Sequence, residues 1–279
     1  MGGGLLQLTA IGAEDSYLTG NPQITFFKTI YRKYTNFSME FISLDLKGPN
    51  SLSDLTNTLF KCKISRNADL INGVYFKMYL PNIFSSSDST NTTNLKFKWI
   101  KNIGTSIISR VSIMIAGQEI NKLYGEWLNV WSELNLTQDK RNQYNKLIGN
   151  VPDIYDPQHT PGNNGFYPSS SLNPSKITDP EDFTNDINPY RAPPSILARE
   201  IIVPLPLWFC NHSGQALPLI ALQYSDIELE IELRPLIDLY TIIETNPESE
   251  NYNTYVKPNP IRKEHRIGYY LSETLGSSD

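Results

Sequence analysis

Two cysteines, Cys62 and Cys210, and three histidines, His159, His212 and His265, are all the thiol and imidazole groups in 279 residues. Two cysteines cannot build a disulfide framework, and neither has zinc-ligand spacing to another. No run approaches the ~18 apolar residues that a membrane-spanning helix needs. The opening Met1-Gly2-Gly3-Gly4-Leu5-Leu6 lacks the basic region of a signal peptide, and Leu6 stands where a myristoylation signal takes Ser or Thr. A protein made and kept in a reducing cytosol is the expectation. Charge is scarce as well: Asp, Glu, Lys and Arg make up 19%, against about 25% in an average soluble chain. With 24 Lys+Arg against 29 Asp+Glu the net charge is −5, which argues against a nucleic-acid coat with a basic face.

What is abundant is neutral and turn-forming: 26 Asn, 19 Pro and 16 Tyr. That composition favours strands and turns over a helical bundle. Period-2 alternation follows. Phe37, Met39 and Phe41 share one face, and Ile42, Leu44 and Leu46 continue in the opposite phase, as across a β-bulge. Phe60, Cys62 and Ile64 alternate with Lys61, Lys63 and Ser65. A turn at Asn72-Gly73 leads into Val74, Phe76, Met78 and Leu80, with Tyr75, Lys77 and Tyr79 opposite. Strands are also expected around 97–101, 107–115 and 201–203, and over 239–243. The strictest alternation is Ile227, Leu229, Ile231 and Leu233 against Glu228, Glu230, Glu232 and Arg234, the pattern of a half-buried antiparallel strand.

One stretch changes period. Leu123, Trp127, Leu128, Trp131 and Leu134 fall on one helical stripe, predicting a short helix whose tryptophans anchor it to the roll. Residues 150–198 hold nine prolines and almost no apolar periodicity, and read as a long surface excursion used for contacts between molecules. Residues 1–36 read as an N-terminal arm, 37–245 as the β domain, and 246–279 as a polar tail with a weak apolar patch at Ile267–Leu271. The arm's aromatic anchors predict that it docks against another surface or begins a strand.

Candidate chemistry is thin. The three histidines lie in a proline loop, a turn and the tail, without a His-x-His pair. Cys210 and His212 are close in sequence, but a reactive thiol needs an electropositive, partly exposed setting. A buried cysteine beside a solvated histidine is the expectation. Glu228, Glu230 and Glu232 step roughly 7 Å apart along one strand face. They could hold a cation or form a glycosidase carboxylate pair, yet a solvated strand face paired to cations on a neighbour is the simpler reading. No nucleophile elbow, Walker loop or dinucleotide fingerprint is present. No catalytic, cofactor-binding or metal-binding residue is assigned, and no cofactor is expected. Sequons such as Asn135-Leu136-Thr137 are expected by chance in a chain this rich in Asn.

Several motifs in order carry a resemblance. They are the Tyr17–Phe27 segment, Ile64-Ser65-Arg66-Asn67-Ala68-Asp69-Leu70, Tyr124-Gly125-Glu126-Trp127-Leu128, Leu205-Pro206-Leu207-Trp208-Phe209 and Leu217–Tyr224. Together they resemble the major capsid proteins of the nucleocytoplasmic large DNA viruses. The resemblance implies an all-β fold, an antiparallel eight-stranded jelly-roll sandwich with a short helix and long loops. It further implies a structural subunit, not an enzyme, that self-associates into trimeric pseudo-hexagonal capsomers. These would tile an icosahedral shell beside an inner membrane they do not span, touching neighbouring capsomers and minor capsid proteins but not nucleic acid directly. Family members carry two jelly rolls, and 279 residues suffice for one. The expectation is therefore the N-terminal portion of a longer product, with 246–279 a connector or the start of a second roll. A shortened paralogue is the other option. A carbohydrate-binding β-sandwich module and a cupin-like metal enzyme are the readings from other classes. The first would need exposed aromatics in a cleft and the second clustered histidines.

Overall fold

In the computed structural model, the residues described are 36–85, 96–168, 194–244 and 246–271. The arm over 1–35, most of the proline-rich loop over 169–193, and the last eight residues lie outside them. The chain divides into two units, one ending at Ser43 and one beginning at Leu44. In the first, residues 36–43 are extended without strand pairing. Phe37, Met39 and Phe41 are exposed. The strand expected here does not form: alternation is a preference of the backbone that the tertiary setting overrides.

The second unit contains the sheets. Chain order gives β1 (Thr58–Lys63), β2 (Leu70–Ile71), β3 (Tyr75–Leu80), β4 (Phe97–Trp99), β5 (Ile108–Ile115), β6 (Gln118–Tyr124), β7 (Arg199–Pro204), β8 (Leu217–Pro218), β9 (Ile227–Leu233), β10 (Tyr240–Ile243) and β11 (Tyr255–Val256). The largest sheet has the order β1-β9-β5-β6, smaller ones are β11-β10-β4, β2-β8 and β3-β7, and every pairing is antiparallel. The antiparallel all-β architecture is the expected one. Its strands resolve into eleven segments among the described residues rather than eight, several only two or three residues long. Pro204 ends β7 and Pro218 ends β8, because proline has no N–H to continue a ladder.

Alternation decides what each strand buries. On β9, Ile227, Leu229, Ile231 and Leu233 are all buried, each such side chain contributing about 1.5–3 kcal/mol. Cys62 and Val111 from the same sheet, Phe76 and Val203 from β3 and β7, and Phe97 and Ile242 from β4 and β10 meet in one apolar core. The β5–β6 hairpin turns at Ala116 and Gly117, both with positive φ, 52° and 79°. This is the backbone a two-residue hairpin with right-handed strands requires. Beyond it the register slips between Ile113 and Met114, leaving Ile120 as the extra residue of a bulge.

Among the described residues four helices interrupt the strands: α1 (Ile103–Ser106), α2 (Gly125–Asn135), α3 (Gln138–Leu147) and α4 (Pro152–Tyr155). Only α2 is legible as an apolar stripe, and it starts later than the stripe suggests, because Leu123 and Tyr124 close β6. Helix α3 buries Tyr144 alone, so it lacks the apolar period that would announce it. It stops where Gly149 takes φ 77° and Asn150 N–H bonds Asn145 O at 2.7 Å, a glycine C-terminal motif.

The proline-rich segment is partly structural, against expectation. Ile154 is fully buried, and the Tyr167 hydroxyl donates to Phe97 O at 2.7 Å while accepting the Phe97 N–H at 3.2 Å. Prolines restrict the unfolded chain, so a segment without periodicity can still be ordered. The tail also packs more than its polarity implies. β11 pairs with β10, and Tyr270 lies fully buried with its ring 5.1 Å from that of Phe97.

Candidate assembly surface

The charged face of the four-stranded sheet is built by register. β1 and β5 flank β9, so Lys61 lies opposite Glu230 and Arg110 opposite Glu232. Lys61 Nζ sits 2.6 Å from Glu230 Oε1, Arg110 Nε 3.0 Å from Glu232 Oε2, and Lys63 Nζ 2.8 Å from Asp226 Oδ1. Asn57 Nδ2 donates to the remaining oxygen of Glu232 at 2.7 Å. The hydrogen bond that Lys61 donates to Glu230 raises the Lys61 pKa, and the one from Lys63 lowers that of Asp226. The pairing of β9 carboxylates with cations on neighbouring strands is as expected. Glu230 and Glu232 are thus each held by a cation on a neighbouring strand. Among the described residues no group of three His, Cys, Asp or Glu could hold a metal ion.

A second polar ladder crosses β3 and β7. Lys77 Nζ lies 2.9 Å from Glu200 Oε1, and the Tyr79 hydroxyl donates to Glu200 Oε2 at 2.7 Å. The hydrogen bond to Glu200 raises the Lys77 pKa, and the same bond lowers that of Glu200. Tyr75 and Tyr79 stand exposed beside them.

Helix α2 supplies an apolar surface that the stripe did not foretell. A Cβ on Gly125 would come 1.9 Å from Ile108 O, so the helix touches β5 backbone to backbone at that point. That approach turns Gly125 and Leu128 inward, and Asn129 Oδ1 accepts a hydrogen bond from the Thr105 hydroxyl at 2.7 Å. Trp127 is consequently 44% exposed, Val130 47% and Leu134 73%, with Trp131 half-buried. The expected tryptophan anchoring therefore fails for Trp127; Leu128 does the anchoring. Arg234, just beyond β9, pairs with Glu126 on the outer side.

The remaining candidates separate. His159 is exposed and bonded to Asp156 at 3.0 Å, His212 is exposed, and His265 is buried. Burial pushes the Cys210 thiol pKa up, the opposite of an activated nucleophile. Trp208 is half-buried, edge-on to Phe209 at 4.9 Å. Residues the alternation could not single out are Tyr167, Tyr240, His265 and Tyr270, which bind the loop and tail to the sheets. The apolar patch at Ile267–Leu271 signals Tyr270, and the strand expected over 239–243 contains Tyr240. No helix among the described residues is long and apolar enough to cross a membrane.

The described residues thus form antiparallel sheets with paired charges on their faces and an apolar helix surface beside them. A family model described as the N-terminus of the major capsid protein matches residues 25–259, and the chain belongs to that family. Among its relatives, probable capsid protein 4 of Acanthamoeba polyphaga mimivirus is 36% identical over 244 residues, 87% of this chain and 40% of that one. The major capsid protein of Chrysochromulina ericina virus is 35% identical over 261 residues, 85% of this chain and 41% of that one. A chain of the PBCV-1 virus capsid aligns at TM-score 0.47 and 26% identity, covering 76% of this chain and 38% of that one. The chain thus spans about 40% of the length of the curated relatives it matches.

Proposed function

We propose that this chain is the N-terminal jelly-roll part of a structural subunit of an icosahedral capsid of a large DNA virus, resident in the virion. The observation that carries the reading is the family match across residues 25–259, joined by relatives that are themselves capsid proteins. The complete subunit forms trimeric pseudo-hexagonal capsomers through the side surfaces of its rolls, assembling in the host cytoplasm. It meets neighbouring capsomers and minor capsid proteins. Residues 1–36 act as an arm between subunits, and 246–279 lead toward a second roll. A net charge of −5 suits a shell that does not contact nucleic acid directly and lies near an inner membrane without spanning it. Sparse charge lowers the repulsion between many copies packed side by side, and exposed Trp127, Tyr75 and Tyr79 are of the residue types that interface centres favour. The role is structural and not catalytic, in keeping with β9 carboxylates held by cations.

The test is to express the complete gene product and measure its mass in solution across a concentration series, alongside mass spectrometry of purified virions. A trimer, with the polypeptide abundant in the particle, is expected. A monomer at every concentration, absent from particles, would refute the reading. Deleting residues 1–36 should weaken particles without unfolding the subunit, and unchanged assembly would exclude the arm's role.

A further inference from the structure

After β11 the chain returns across the β4–β10–β11 sheet in two short 3-10 turns, Lys263–His265 and Ile267–Tyr270. Four contacts hold it there. Arg262 Nη1 reaches both carboxylate oxygens of Glu244 at 2.8 and 3.0 Å. The Tyr240 hydroxyl donates to His265 O at 2.8 Å, and the Phe84 N–H donates to Tyr270 O at 2.8 Å. The Tyr270 ring is fully buried near Phe97. A further bond, within the tail itself, has a chemical condition attached. The Asn259 N–H donates to His265 Nδ1 at 3.1 Å, and His265 is only 3% exposed. Nδ1 accepts only while it carries no proton, so the docked tail requires the neutral imidazole.

We propose that residues 257–271 form an acid-released clasp: protonation of the buried His265 breaks the bond from Asn259 that shapes the segment and puts a charge where solvent cannot reach it, so the segment leaves the sheet, uncovering Phe97 and Tyr240. An imidazolium there would turn an N–H against the Asn259 N–H. The charged and titratable groups facing it are Arg262 from the preceding turn, Glu244 and Tyr240 from β10 and its end, Glu264 on its own turn, and Tyr270 from the next. Glu244 and Glu264 would favour the cation, but Glu244 is already committed to Arg262. Burial, followed by the Arg262 charge, holds the histidine pKa below its ordinary value of 6.5. The docked state therefore has its full stability above pH 6.5. It loses stability as pH falls below that value toward the docked pKa, by at most about tenfold per pH unit for one proton. Glu244 is held low by the Asn246 N–H and Arg262, so its contribution fades only below its ordinary 4.5. Between pH 7.5 and 5.0 the histidine therefore begins to lose its hold while Glu244 keeps its charge.

Hydrogen exchange followed by mass spectrometry on the full chain at pH 7.5 and 5.0, corrected for intrinsic rates, tests this. Protection over 257–271 should fall about tenfold or more while that of β9 holds. His265→Asn, whose side-chain oxygen can stand in place of Nδ1 but does not titrate, should keep its protection at both values. Unchanged tail protection in the wild type, an equal loss in β9, or the same pH-dependent loss in H265N would overturn the clasp. Should H265N fail to fold, NMR titration of the wild-type histidines decides: a His265 midpoint below that of an ordinary histidine supports the clasp, and one at or above it overturns it.

Discussion

Lys61 and Glu230 face each other across β1 and β9 with 2.6 Å between their charged atoms, while the next residue along, Ile231, is buried on the opposite face. Adjacent positions on one strand thus serve two different purposes. Ile231→Ala should cost about 2–5 kcal/mol, because it empties a packed site. Glu230→Gln should cost a small fraction of that and less still at high salt, since Lys61 remains largely in solvent. Urea denaturation of the two variants at low and high salt checks both.

The face of α2 gives a second contrast. Leu128→Ala should destabilise by about 2–5 kcal/mol, whereas Trp127→Ser should change stability by about 0.5 kcal/mol or less. Gly125→Ala should also destabilise, by about 1–3 kcal/mol, although alanine gains roughly 1 kcal/mol of helix propensity over glycine. A Cβ placed 1.9 Å from Ile108 O decides the sign. Thermal unfolding of the three variants distinguishes these outcomes.

At the β5–β6 turn, Ala116 holds φ 52° in an exposed position. An L-residue with a Cβ is strained there by roughly 1–2 kcal/mol, and asparagine tolerates the conformation best among non-glycine residues. Ala116→Asn should raise the midpoint of thermal unfolding. Gly117→Ala should lower it, because that position has φ 79°.

Tyrosine ionisation offers a pH test. Burial raises the phenols of Tyr144, Tyr240 and Tyr255 to about 12. The folded state then holds protons that the unfolded chain releases near pH 10, so stability falls as pH climbs from about 10 toward 12. Absorbance at the phenolate band should rise in two steps, exposed tyrosines first. Denaturant midpoints should decline over the same interval. A single step at pH 10 with constant stability would contradict the burial of these rings.

Much of the charged sheet was readable along the chain. Glu228, Glu230 and Glu232 alternate with four apolar residues, and a strand places alternate side chains on opposite faces whatever its neighbours are. The cations at Lys61 and Lys63 alternate with Phe60 and Cys62 for the same reason. Phe37–Leu46 shows the limit of this reasoning, since the same alternation there does not become a strand. Trp127 shows another: a helical stripe says which residues share a side, not which side faces the roll. The ion pairs and the tail's anchoring at His265 and Tyr270 join residues far apart in the chain, and no spacing rule reaches that distance.

Local covalent geometry made the period-2 code legible, and with it the β class, the inward residues of β1, β3 and β9, and the ordered motifs shared with capsid proteins. Which strands pair, which face of α2 turns outward, and how loop and tail close over the β4–β10–β11 sheet were decided only when distant segments met. Those choices depend on close packing and on hydrogen bonds between groups that acquire partners only in the folded chain.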